Sequence, residues 1–179
     1  MPKQKTATPK APAPLKAALP KRQASQALTP AFNARIEGID YDILEELTGY
    51  AVRRAQLSIY ADFTASLGAY DITPQRFSSL VIISNNPGIS QTRLAEVMGI
   101  ARSGVVAIID NFEQAGLLER QDSGDRRSYM LHLTKDGHKQ LAKYKRAVKE
   151  HDDRVSQHLT AKERQQLRAL LGKLCMETK

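Results

Sequence analysis

The chain has 179 residues, 41% of them hydrophobic, which is enough for one compact domain with a tail or at most two very small domains. Its longest apolar runs, 80–83 and 105–109, are far shorter than the roughly 20 residues a membrane span needs. A single cysteine, Cys175, excludes an internal disulfide and a multi-cysteine zinc site, and the N-terminus lacks the apolar core of a secretory signal, so the sequence reads as cytoplasmic.

The net charge of +8 is unevenly placed. Residues 1–30 hold six basic side chains (Lys3, Lys5, Lys10, Lys16, Lys21, Arg22) and no acid, together with six of the eight prolines. An Ala/Lys/Pro-rich segment has too few large apolar groups to offset the entropy of ordering, so 1–35 is expected to be a disordered basic arm. Two readings of it stand side by side: a non-specific electrostatic contact with nucleic acid, or a solubilising extension with no dedicated partner.

Beyond residue 36 apolar side chains recur at helical spacing (Ile43, Leu44, Leu47, Ala51, Ala55, Ile59, Phe63, Leu67), predicting a long amphipathic helix that stops near Gly68. The next helix opens at Thr73-Pro74, where threonine caps and proline suits the first helical position, and ends at Asn85-Asn86-Pro87-Gly88. A short helix follows the Ser90 cap. After a turn at Gly99, another runs from about Arg102 to Gln114. Leu117–Leu133 reads as a hairpin whose polar tip is 120–127. Thr134 then caps a long charged helix, and Thr160-Ala161-Lys162-Glu163 is a capping box that opens the last helix, with Leu167, Leu170, Leu171 and Leu174.

The strongest functional pattern is 91–109. Two crossed helices joined by a tight turn need a small residue at the crossing, a glycine in the turn and apolar anchors. Ala95, Gly99, and Leu94, Met98, Ile100, Val105 and Ile108 meet these needs. Such a pair is a helix-turn-helix, whose second helix enters the major groove of double-stranded DNA with its N-terminal residues foremost. Those residues are Arg102, Ser103, Gly104 and Ala107, with Ser90, Gln91 and Thr92 at the start of the first helix as further DNA-binding candidates. Arg102 suits a bidentate fork to guanine or a phosphate, and both roles stay open. Gly104 and Ala107 offer little side-chain chemistry and permit close backbone approach instead. At the hairpin tip, Asp125, Arg126 and Arg127 form a second candidate constellation, an arginine on a thin wing that suits a narrow minor groove.

The stretch 72–137, with Asp125 and Arg127 followed by Leu133, Thr134 and Gly137, resembles the MarR family of winged helix-turn-helix regulators. The hallmark is Asp-x-Arg, five residues, then Leu-Thr-x-x-Gly, and the likeness covers about 40–176. The resemblance implies a mainly α fold with a small β-hairpin wing. It also implies a homodimer built on N- and C-terminal helices (36–70 and 135–179), a DNA-binding lobe at 73–134, a pseudopalindromic operator, and repression relieved by a small-molecule effector. This chain departs from the usual pattern in the Gly104–Ala107 text of its recognition helix and in its longer, more basic arm.

For the effector, the family's site between dimerisation helices and winged lobe implies ligand-binding candidates at Tyr50, Arg53, Arg54, Tyr60, Phe63 and Phe77. An apolar cleft with an arginine suits an aromatic or acyl carboxylate, or the phosphates of a coenzyme A thioester. The phrase 49–57 resembles the family branch that responds to hydroxycinnamoyl-CoA thioesters. Adjacent helical residues diverge by about 100°, so Arg53 and Arg54 cannot both face one pocket. The competing reading makes these arginines an exposed face or intersubunit ion pairs, and the aromatics dimer core.

Other chemistries find no support in the sequence. His151 beside Asp152 lacks a cysteine or a second histidine one turn away, so no metal or other cofactor is expected. There is no Gly-rich phosphate loop, nucleophile elbow or paired catalytic carboxylates, and no enzyme is expected. The rival to a ligand-released repressor is an architectural DNA-binding protein without an effector, dominated by its basic arm.

Overall fold

A computed structural model describes residues 35–122 and 129–175. Six α-helices and three short strands follow in the order α1 (Thr48–Leu67), α2 (Pro74–Asn85), β1 (Ile89–Ser90), α3 (Gln91–Met98), α4 (Arg102–Gln114), β2 (Leu118–Asp122), β3 (Tyr129–Leu133), α5 (Lys135–Val155) and α6 (Ala161–Leu174). The basic arm, apart from Arg35, lies outside the described residues, as does the hairpin tip with Asp125, Arg126 and Arg127. Among the described residues no helix is long and apolar enough to cross a membrane.

Side-chain caps start four of the helices. The hydroxyls of Thr73, Ser90, Thr134 and Thr160 accept from the amides of Arg76, Arg93, Gly137 and Glu163, and Thr160 with Glu163 closes the expected capping box. The first helix begins later than the periodicity of its sequence indicates. Ile43 and Leu44 lie in a separate single turn of 3₁₀ helix (Asp42–Glu45), because Asp42 has a left-handed backbone with its amide held by Asp40, and Leu47 is extended.

The core is one cluster shared by α1, α2, α3, α4, α5 and the sheet. Leu80, Leu94, Ile109 and Leu131 are fully inaccessible, with Leu67, Ile83, Val105, Phe112, Leu118 and Leu141 packed around them. The sheet order is β1-β3-β2, all antiparallel. Strand β1 is a two-residue piece that pairs Ile89 with Leu131 and Ser90 with Met130, so the wing is anchored to the entrance of α3 as well as to its own hairpin.

One close approach fixes the wing to α5. A Cβ built on Gly137 would overlap the carbonyl oxygen of Leu117, while Thr134 Oγ1 donates to the carbonyl of Gly116 at 2.7 Å. The Thr-x-x-Gly part of the hallmark is thus a steric and hydrogen-bonded lock. Helix propensity alone favours alanine over glycine by about 1 kcal/mol. Gly137→Ala is nevertheless expected to destabilise the protein by about 2–4 kcal/mol, because backbone has to move. Urea denaturation measures this, and an unchanged or raised midpoint contradicts the lock.

Candidate functional site

Helices α3 and α4 cross at a turn set by Gly99, whose left-handed backbone (φ 61°) strains any residue with a side chain. Ala95 is buried at the crossing, and Leu94, Val105 and Ile109 pin both helices to the core. Met98, Ile100 and Ile108 are partly buried against that core, as anchors at the edge of the crossing.

This geometry turns the start of α4 outward. Arg102, Ser103, Gly104 and Ala107 are all exposed, whereas Ser90, Gln91 and Thr92 are half-buried. Ser90 spends its hydroxyl on the cap of α3. Arg102 has no hydrogen bond or ion pair among the described residues. Its helix starts at Ala101, which offers no side-chain cap, in contrast to α2, α3, α5 and α6. The Gly104 amide donates to the Ala101 carbonyl, and the amides of Arg102 and Ser103 have no capping acceptor among the described residues, an arrangement suited to an anion. Beside them, Thr92, Ala95, Glu96, Gly99, Ile100, Ala101 and Arg102 line an open groove of about 440 Å³. Around Gly104 the chain has only Ile100 Cδ1 at 3.9 Å from a Cβ position, so internal packing does not call for glycine there.

The six effector candidates fall in different surroundings. Arg54 lies over two rings, 5.2 Å from the centroid of Tyr41 and 5.5 Å from that of Tyr50. Arg53 is exposed, in keeping with its divergence from Arg54. Phe63, thirteen residues beyond Tyr50 and so roughly 20 Å further along α1, is buried in the core. Tyr60 is half-exposed and Phe77 packs against the edge of the core.

A polar cluster joins α1 to α5. His151 is 5% exposed, its Nδ1 lies 2.7 Å from Asp62 Oδ1, and its ring meets Phe63 edge-on at 5.2 Å. Arg154 donates through Nη2 to the same Asp62 oxygen at 2.8 Å and through Nε to the other at 3.2 Å. The Arg154 hydrogen bonds hold the Asp62 carboxyl down at about 2, against the opposing effect of burial and with help from His151. His151 therefore takes its partner from α1 across 89 residues, and its sequence neighbour Asp152 is exposed. No local pattern could reveal this cluster, nor the place of Tyr41 beside Arg54.

The MarR family model matches residues 72–129, the segment that carries both crossed helices and most of the hairpin. A Thauera aromatica protein, proposed as the transcriptional regulator of the hcr operon, is 37% identical over 128 residues, which cover 70% of this chain and 77% of that protein. Among solved structures, the transcriptional repressor CouR bound to a 23-mer DNA duplex is 37% identical with a TM-score of 0.73, covering 77% of this chain and 99% of that one. CouR bound to p-coumaroyl-CoA is 35% identical with a TM-score of 0.71, covering 78% and 99%. The chain belongs to the MarR family. Its mainly helical architecture with a small antiparallel wing is that of the MarR winged-helix repressors, and it is a transcription regulator rather than an enzyme.

The Asp62 cluster gives this MarR protein a defined acid sensitivity. Asp62→Asn removes the charge that Arg154 and His151 face, and is expected to cost about 1–3 kcal/mol at neutral pH. A depressed carboxyl stabilises fully above its ordinary value of 3.8 and loses that contribution as pH falls towards about 2. The stability gap between wild type and Asp62→Asn should shrink progressively as pH falls from about 4 towards 2. Denaturation at several pH values measures it, and a gap as large at pH 2.5 as at neutral pH contradicts the assignment.

Proposed function

We propose that this protein is a homodimeric, sequence-specific repressor that sets α4 of each subunit into the major groove of a pseudopalindromic operator and is released by an aromatic acyl-CoA thioester. The observation that carries the DNA half of the reading is the outward, uncapped start of α4 with the unpaired Arg102 beside it. Arg102 supplies a base or phosphate contact, Ser103 and the first amides hold phosphate, and Gly104 and Ala107 let the backbone come close. The helices at 36–70 and 135–179 form the dimer and 73–134 the DNA-binding lobe, with Asp125, Arg126 and Arg127 at the tip that enters the minor groove. Ser90, Gln91 and Thr92 face flanking phosphates. The arm, 1–35, adds charge attraction to the DNA, and the repressor works in the cytoplasm, where the operator is.

Exposed apolar side chains support the dimer. Ile36, Ile39, Ile43 and Leu47 before α1, and Leu167, Leu170 and Leu174 on α6, are each between 46% and 60% exposed, and α6 buries no residue at all. Two such faces on one chain are what a partner subunit would cover.

The effector half rests on likeness to CouR in its complex with p-coumaroyl-CoA and on the residues at the start of α1. Arg54 between Tyr41 and Tyr50 offers a cation framed by rings, and Arg53 offers a second, unpaired cation on another face of the helix. Such a surface suits the phosphates and the aromatic acyl group of a thioester. Tyr60, Phe63 and Phe77 belong to the wall between α1 and the winged lobe.

Two experiments test this reading. Arg102→Ala and Arg127→Ala should each weaken operator binding by about 10–100-fold at fixed salt with the dimer intact; unchanged affinity in gel-shift titrations rejects their roles. Aromatic acyl-CoA thioesters, p-coumaroyl-CoA among them, should give calorimetric heat and displace the operator, while the free acids bind more weakly. Heat from neither, with DNA binding undisturbed, rejects thioester control.

A further inference from the structure

Helix α4 carries two carboxylates on the side it turns to the wing. Asp110 and Glu113 are one turn apart, and Arg120 of β2 forks between them, Nη2 on Asp110 and Nη1 on Glu113. In the hairpin register Arg120 stands opposite Leu131, so it shares with Leu118 the sheet face that meets α4. Apolar packing of β2 ends at Leu118; Glu119, Gln121 and Asp122 are all exposed. Arg120 is the half-buried exception, its side chain 19% exposed, and it extends the attachment of the strand roughly 7 Å beyond Leu118 towards the tip.

The guanidinium is planar and its N–H directions are fixed, so engaging two carboxylates sets the angle of the strand as well as its distance from the helix. We infer that Arg120 is a positioning residue for DNA recognition. Without touching DNA, it holds the wing at the angle to α4 that lets helix and wing enter adjacent grooves together. It also offsets one of the two negative charges on the very helix proposed to approach the phosphates. The inference rests on the repressor reading above and adds a determinant of affinity that lies behind the DNA-facing surface.

A double-mutant cycle on the full-length dimer tests it. Arg120→Gln in the wild-type background should weaken operator binding by about tenfold, whereas the same change in an Asp110→Asn/Glu113→Gln background should cost less than about twofold. Amide exchange of free Arg120→Gln should rise in 119–122 and 129–131, while α2 and α5 keep their protection. Arg120→Lys, with one point charge for two acceptors, should fall between wild type and Arg120→Gln. Equal losses in both backgrounds mean a direct DNA contact and overturn the inference. Accelerated exchange with unchanged affinity also overturns it, because the clamp then orders the wing without serving recognition. A wild-type protein that prefers no operator is a failure of the repressor reading, visible before any variant is made, and the inference falls with it; failure of the cycle alone leaves that reading standing.

Discussion

The carbonyl of Leu117 occupies the space where a side chain at position 137 would begin, and the placement of α4 and the wing against α5 depends on this contact. Leu117 follows the end of α4 and precedes β2, while Gly137 lies in the first turn of α5. Thr134 fastens the same junction twice, accepting from the Gly137 amide and donating to the Gly116 carbonyl. Helix α4, the wing and helix α5 therefore meet at one junction.

At the other end of α5, Asp62, His151 and Arg154 close the seam with α1 through charge-assisted hydrogen bonds to a partly solvated carboxylate. Between these two fastenings the packing is apolar, with Leu141 and Tyr144 of α5 set against Leu67 and Leu80 in one core. The leucines of α6 and the isoleucines before α1 have no comparable partner within the chain. In the proposed homodimer a second subunit would supply one.

Much of this was legible in the sequence because it is local. Caps at Thr73, Ser90, Thr134 and Thr160 are short-range contacts, and Gly99 announces its left-handed turn by being glycine. What stayed hidden depends on distant partners. Strand β1 is only two residues long and exists through its pairing with β3. The periodicity at Ile43 and Leu44 looks helical, yet the backbone turns at Asp42 and leaves both side chains exposed. Arg120 reads as part of a polar tip until the fold brings α4 against β2, and His151 reads as the neighbour of Asp152 until α1 presents Asp62. The α4 candidates Arg102, Ser103, Gly104 and Ala107 share exposure at the start of one helix, whereas the effector candidates along α1 are spread over roughly 20 Å and their grouping came from the resemblance alone.

In the proposed repressor the crossed helices read sequence, and the basic arm adds attraction but no choice. Competition binding at physiological salt tests it most directly, using DNA recovered by selection with the pure protein against unselected genomic fragments. A repressor that reads sequence should prefer the selected site by at least about 10³. A preference near unity, with tight binding to any duplex, would contradict it and make the protein an architectural DNA binder.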